Sequence, residues 1–295
     1  MKTIIVTGAN KGIGLALVKE ILLQQEDTFV FLGSRNQERG QQAYDRLLSE
    51  HPAFKNRCTV LDIDVSNMDS VHEASQVVSD NLEKNQAALY GIVNNAGIGL
   101  GNFELMDVLQ VNTYGIKRVC DAFLPLLEPN GGRIVNITSA SGPNYVATCA
   151  KEQQEFLTHP DVTWEQIDGY MTTCLELKNS GDSFESKGMG DGNAYGISKA
   201  CANAYTIALA RSNPTLIVNA CTPGFIETDL TMPYAQSRGV SPAEMGMKSP
   251  KEGTVSALHL LFDTPEGSGL YFGSDAKRSP LDRYRAPGSA PYTGD

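Results

Sequence analysis

The chain has 295 residues, enough for one large α/β domain or two small ones. Its 41% hydrophobic and 20% charged residues suit a globular protein, and a net charge of −10 argues against nucleic acid or an anionic membrane as the main partner. Six scattered cysteines with no Cys-x-x-Cys pair, no zinc spacing, no leader pattern and no ~20-residue apolar stretch lead us to expect reduced thiols, no metal and a cytoplasmic location.

Residues 2–7 (Lys-Thr-Ile-Ile-Val-Thr) form a short β-branched run, too short for a helix, that reads as a buried parallel strand. Gly8-Ala-Asn-Lys-Gly12-Ile-Gly14 follows, then a segment of helical periodicity. Strand, glycine turn and helix together place a pyrophosphate at a helix N-terminus, because glycines admit the phosphate to the backbone and free N–H groups favour its charge. The candidate contacts are Gly8, Asn10, Lys11, Gly12, Ile13 and Gly14. The spacing is Gly-x-x-x-Gly-x-Gly rather than the commoner Gly-x-Gly-x-x-Gly.

A second strand over 28–33 ends in Ser34-Arg35. An NAD enzyme usually carries an acid near this point for the ribose 2′-hydroxyl, and none stands between Thr28 and Asn36. Arg35, with Lys11 available from the glycine turn, instead suits the 2′-phosphate of NADPH; the alternative is a solvated arginine at a strand end. A third strand ends in Asp62-Ile63-Asp64, where a carboxylate can accept from an adenine amino group or cap the next helix, and spacing leaves Asp62 and Asp64 both open. The fourth strand closes in Asn94-Asn95-Ala96-Gly97, adding Asn95 and Gly97 to the cofactor candidates. Residues 103–127 read as one long helix with Asn112 in its middle, a residue type disfavoured there unless something needs it. After the fifth strand comes Ser139, a hydroxyl at a strand mouth, and after the sixth come Pro223, Gly224, Ile226 and Thr228, of which Thr228 could reach a nicotinamide carboxamide. Repeated strand–helix alternation indicates a single-domain Rossmann-type fold, a doubly wound parallel sheet with helices on both faces, whose ligands bind at the carboxyl ends of the strands.

Tyr195 and Lys199 stand four apart, one turn on one helix face. An ammonium beside a phenol favours the phenolate, so the pair is expected to lower the tyrosine pKa; alone, it is also an ordinary pair of helix residues. With Thr7-Gly-x-x-x-Gly-x-Gly14, Asn94-Asn-Ala-Gly97, Ser139 and Tyr195-x-x-x-Lys199 in this order, the chain resembles the short-chain dehydrogenase/reductase family, and within it the monomeric NADPH-dependent carbonyl reductases. The resemblance implies Tyr195 as proton donor and Ser139 on the carbonyl oxygen. It also implies Lys199 on the nicotinamide ribose and Asn112 holding a water that links Lys199 to solvent. The 55 residues between Ser139 and Tyr195 match the insertion (about 143–192) that covers the dimerising face in the monomeric reductases, so a monomer is implied.

The expected activity is NADPH-dependent reduction of quinones, aldehydes or ketones, within a reductase domain over 1–281. Alternatives are an alcohol dehydrogenase working in the oxidising direction and a non-catalytic NADPH-binding regulator. Residues 228–249 form the expected substrate lid, whose Leu230, Met232, Pro233, Tyr234, Met245 and Met247 line an apolar pocket or are core contacts. Only 14 residues separate Gly97 from Asn112, which predicts a more open pocket rim, and the Pro/Gly-rich tail over 282–295 is expected to be mobile.

Overall fold

A computed structural model describes residues 1–99 and 103–294. In chain order the elements are β1 (Lys2–Val6), α1 (Gly12–Gln24), β2 (Thr28–Ser34), α2 (Gln37–Glu50), β3 (Cys58–Asp62), α3 (Met68–Asn85) and β4 (Leu89–Asn94). There follow α4 (Leu105–Asn112), α5 (Tyr114–Phe123), β5 (Arg133–Ile137), α6 (Ser141–Thr148), α7 (Lys151–Leu157) and α8 (Trp164–Ser180). The last elements are α9 (Ala194–Ser212), β6 (Ile217–Cys221), α10 (Met232–Arg238), α11 (Val255–Phe262) and β7 (Tyr271–Phe272).

The seven strands form one parallel sheet in the order β3-β2-β1-β4-β5-β6-β7. Period-two alternation splits β1 between two apolar layers: Ile4 and Val6 pack with α1, α2 and α11, while Ile5 packs with α3, α5 and α9. The direction of winding reverses between β1 and β4, which opens a crevice at their carboxyl ends. There the amide of Thr7 donates to Val93 O at 3.0 Å and its hydroxyl accepts from the amides of Asn95 and Ala96, tying the glycine turn to the end of β4.

One expectation changes. The single helix over 103–127 is broken at Thr113, whose φ of −122° and ψ of −60° separate α4 from α5. The break follows from burial: the Thr113 hydroxyl donates to Ser198 O at 2.9 Å, a contact that a continuous helix pattern does not anticipate. The tail makes contacts of its own. Arg285 makes a two-pronged pair with Asp275 at 3.0 and 2.7 Å, and its guanidinium donates to the carbonyls of Ser289 and Ala290. Residue 295 of the tail and residues 100–102 of the predicted open rim lie outside the described residues.

The insertion carries α7 and α8 and packs on α4 and α9. Trp164 sets its ring edge-on to Tyr114 and Tyr205, and Tyr114 donates to Asp168 at 2.6 Å. All six cysteines are free and buried. Among the described residues no helix is long and apolar enough to cross a membrane, and no group of His, Cys, Asp or Glu could hold a metal ion.

Burial by itself would raise the Asp275 pKa, but the hydrogen bonds from Arg285 and the Gly288 amide, with the Arg285 charge, bring it down to about 2. A carboxyl held below its unfolded value of about 3.9 contributes stability above that value and loses it as the pH falls through the folded pKa. Asp275→Asn is therefore expected to lower the melting temperature by roughly 2–4 °C at neutral pH and to speed hydrogen exchange over 282–294. The gap from wild type should close between about pH 4 and pH 2.

Candidate active site

The crevice holds a cavity of about 590 Å³. Gly8, Asn10, Lys11, Gly12, Ile13 and Gly14 form one end, Tyr195 and Lys199 stand at the other, and Arg35, Ile63, Asn95, Gly97, Pro223 and Thr228 lie along the walls. The glycine turn is dictated by space. Gly8 has a φ of +62°, and a Cβ there would sit 2.8 Å from Ala96 Cα; a Cβ on Gly14 would meet Asn95 Nδ2 at 2.5 Å. Asn95 acts here as a clamp, since its side-chain amide donates to Thr7 O and Gly8 O at 2.9 and 3.1 Å.

The first turn of α1 has no side-chain cap and no acidic residue, whereas Asn36, Asn67 and Thr163 cap α2, α3 and α8. Its N–H groups are left for an anion in the cavity, which the helix dipole also favours. Exposed Arg35 follows β2 directly and reaches the same cavity. Lys11, expected to share a phosphate with it, is ion-paired with Asp229 at 2.7 Å across the mouth. Both partners are largely exposed, so this pair yields to a competing dianion at little cost. Asp62 is exposed at the end of β3 and is not on the cavity wall; Asp64 is, with Oδ1 accepting from the amide and hydroxyl of Ser66. Ile226 is buried, and Gly224 faces a different cavity. From the lid, Leu230 and Pro233 reach the wall, while Met232, Met245 and Met247 line neither cavity.

Tyr195 lies in the first turn of α9, whose N-terminus is capped by Asn193 accepting from the Gly196 amide at 2.8 Å. Lys199 is 3% exposed; its Nζ donates to Ile137 O at 3.1 Å and stands 5.6 Å from the centre of the Tyr195 ring. The expected lowering of the tyrosine pKa is not what the chain produces. Burial pushes the Tyr195 phenol up to about 12, with the nearby Ser139 hydroxyl opposing it, and burial brings Lys199 down to about 8. The reason is that both ionised forms lose hydration, and the lysine is spent on a backbone carbonyl instead of on the phenol.

Asn112 is fully buried and does not line the cavity. Its side chain accepts from the Ile98 amide at 3.0 Å and donates to Ile98 O and to Ser198 Oγ at 2.8 and 3.0 Å. Sequence reasoning missed three residues that hold this arrangement. Ser198 lies between Tyr195 and Lys199 and bonds Asn112 and Tyr195 O; Thr113 bonds Ser198 O; and Asn136 bridges Asn94 on β4 to Thr206 on α9 at 2.9 and 2.8 Å. The available signal was a set of small polar residues at apolar positions of strands and helix.

The short chain dehydrogenase family profile matches residues 2–151. The chain belongs to the short-chain dehydrogenase family. It is 31% identical to carbonyl reductase (NADPH) 1 of Mus musculus over 94% of this chain and 97% of that one. It is 32% identical to (+)-neomenthol dehydrogenase of Arabidopsis thaliana over 91% and 94%. Among solved structures, salutaridine reductase from Papaver somniferum superposes with a TM-score of 0.75 at 24% identity, covering 92% of this chain and 99% of that one, a likeness of fold.

Holding a charged Lys199 in a dry site costs stability. Its folded pKa lies below the unfolded value of about 10.4, so the cost is complete below about pH 8 and disappears as the pH rises toward 10.4. Lys199→Met is accordingly expected to melt higher than wild type at pH 7, by the equivalent of roughly 2–4 kcal/mol, with the difference shrinking between about pH 8 and 10.4. Thermal unfolding across that range checks it.

Proposed function

We propose that this chain is an NADPH-dependent carbonyl reductase that converts quinones, aldehydes or ketones to alcohols, working as a cytoplasmic monomer with one reductase domain over 1–281. The observation that carries the reading is Tyr195. Its phenol stands one helical turn from Lys199 on the wall of a cavity that the uncapped N-terminus of α1 also lines, and the Ser139 hydroxyl lies nearby at the end of β5.

NADPH, when bound, supplies the hydride. The chain's residues fit it: the Gly8–Gly14 turn admits a pyrophosphate to the α1 amides, Arg35 offers a planar fork to a 2′-phosphate, and Thr228 stands across the mouth from Gly12. Names of relatives point the same way, since the mouse relative is an NADPH carbonyl reductase. Tyr195 delivers its proton to the carbonyl oxygen as negative charge grows there, and Ser139 donates a hydrogen bond to the same oxygen. Lys199, cationic below about pH 8, opposes the charge left on the phenolate. Asn112 acts as a positioning residue, binding residues 98 and 198 on either side of the reacting groups. The monomer reading is supported by the insertion, which covers Tyr114 and Tyr205 on α5 and α9 with Trp164.

The assay is NADPH oxidation, followed by absorbance, with a panel of quinones, aldehydes and ketones, and NADH in parallel. Tyr195→Phe is expected to lose about 10²–10⁴-fold in kcat, and near-full turnover by that variant would overturn the assignment. Arg35→Ala should raise KM for NADPH by roughly 10- to 100-fold while leaving KM for NADH little changed, as expected for loss of a charge-assisted bond to a phosphate. Sedimentation at the mass of one chain is the expected result for assembly state, and a stable dimer would refute the monomer.

A further inference from the structure

Ser139 lies on the wall of a second cavity, of about 330 Å³, which no residue of the glycine turn reaches. This volume is at the lower end of the ~300–1,000 Å³ typical of small-molecule sites. Thr138 lines the first cavity and Ser139 the second, as Pro223 and Gly224 do in turn, so the two cavities approach each other at these strand ends. Pro143, Phe225, Tyr271 and Tyr284 make much of the second wall apolar. Tyr284, Arg285 and Pro287 come from the tail, which the Arg285–Asp275 pair holds in place.

Among the described residues, every charged side chain on this wall is a cation: Lys248, Arg283 and Arg285. That is a local inversion in a chain of net charge −10. Arg285 is neutralised by Asp275 and is structural. Arg283 meets Asp282, its sequence neighbour, with both contacts at 3.0 and 3.1 Å made by Nη1, so the rest of its planar group retains donors. Lys248 is held by its backbone, donating to Phe225 O at 2.8 Å and accepting from the Glu227 amide at 2.9 Å. Glu252, four residues on, has its carboxylate taken by the amide and hydroxyl of Ser249.

We propose that the second cavity receives the body of the carbonyl substrate and selects substrates that carry a carboxylate away from the reacting carbonyl, with Lys248 and Arg283 as its partners. This deepens, and rests on, the carbonyl reductase reading. Ser139 then takes the carbonyl oxygen at the inner end, the aromatic wall takes an apolar body, and the two cations take the anion at the solvent end.

The test is calorimetric titration of the NADP⁺-loaded protein with 4-(hydroxymethyl)benzoate and with its methyl ester, for wild type and Lys248→Ala/Arg283→Ala. NADPH turnover of the two corresponding aldehydes is measured alongside. Wild type is expected to bind the carboxylate about 3- to 10-fold more tightly than the ester, the size two solvent-exposed ion pairs support. The preference should shrink in about 0.5 M salt and disappear in the double variant. Failure of the carboxylate to bind, an equal or weaker affinity than the ester, or a preference kept by the double variant overturns the proposal. A charge-dependent preference in binding with no turnover of either aldehyde upholds the anion selectivity and instead strikes the carbonyl reductase reading.

Discussion

The structure depends on one constraint: α9 is buried along most of its length, yet it must carry a lysine and several hydroxyls into a dry interior. Three of these groups take partners outside the helix. Lys199 takes Ile137 O on β5, Ser198 takes Asn112 on α4 through its hydroxyl and Thr113 through its carbonyl, and Thr206 takes Asn136 on β5. Leaving any of these groups unpaired would cost the full desolvation of a polar atom, so the partners lock α9 in rotation and in register against the sheet. Tyr195 inherits its place from that lock.

The same burial sets the site's acid–base character. A phenol pushed up to about 12 is a proton carrier rather than a base at neutral pH, which favours donation to a substrate oxygen. A lysine brought down to about 8 sits close to the pH at which it gives up its charge. Burial therefore supplies a protonated acid, and the nearby ammonium offsets the charge that appears once the proton has left.

Charge is distributed with similar economy. The chain as a whole is acidic, but cations stand on the walls of both cavities: Arg35 and Lys11 near the glycine turn in the first, Lys248 and Arg283 in the second. The uncapped start of α1 adds the dipole of a 13-residue helix to the first group. A tail rich in proline and glycine joins the second wall because a single buried guanidinium, Arg285, gathers Asp275 and two tail carbonyls around it.

Strand and helix alternation, the glycine turn, the strand-end position of Ser139 and the Tyr195/Lys199 pair were all legible in the sequence, because each is a local pattern: periodicity, backbone space at glycine, or one helical turn. Residues acting through distant partners were not. The break at Thr113, the Ser198 anchor and the Asn94–Asn136–Thr206 chain depend on contacts between elements far apart in sequence. The pairing of Lys11 with Asp229, the anchoring of the tail and the upward shift of the tyrosine likewise exist only after folding. The sequence by itself determined the elements and the chemical kinds of residue at the strand mouths. The tertiary structure decided which of them are dry, which are paired and which face each cavity, because desolvation and pairing are properties of what surrounds a side chain.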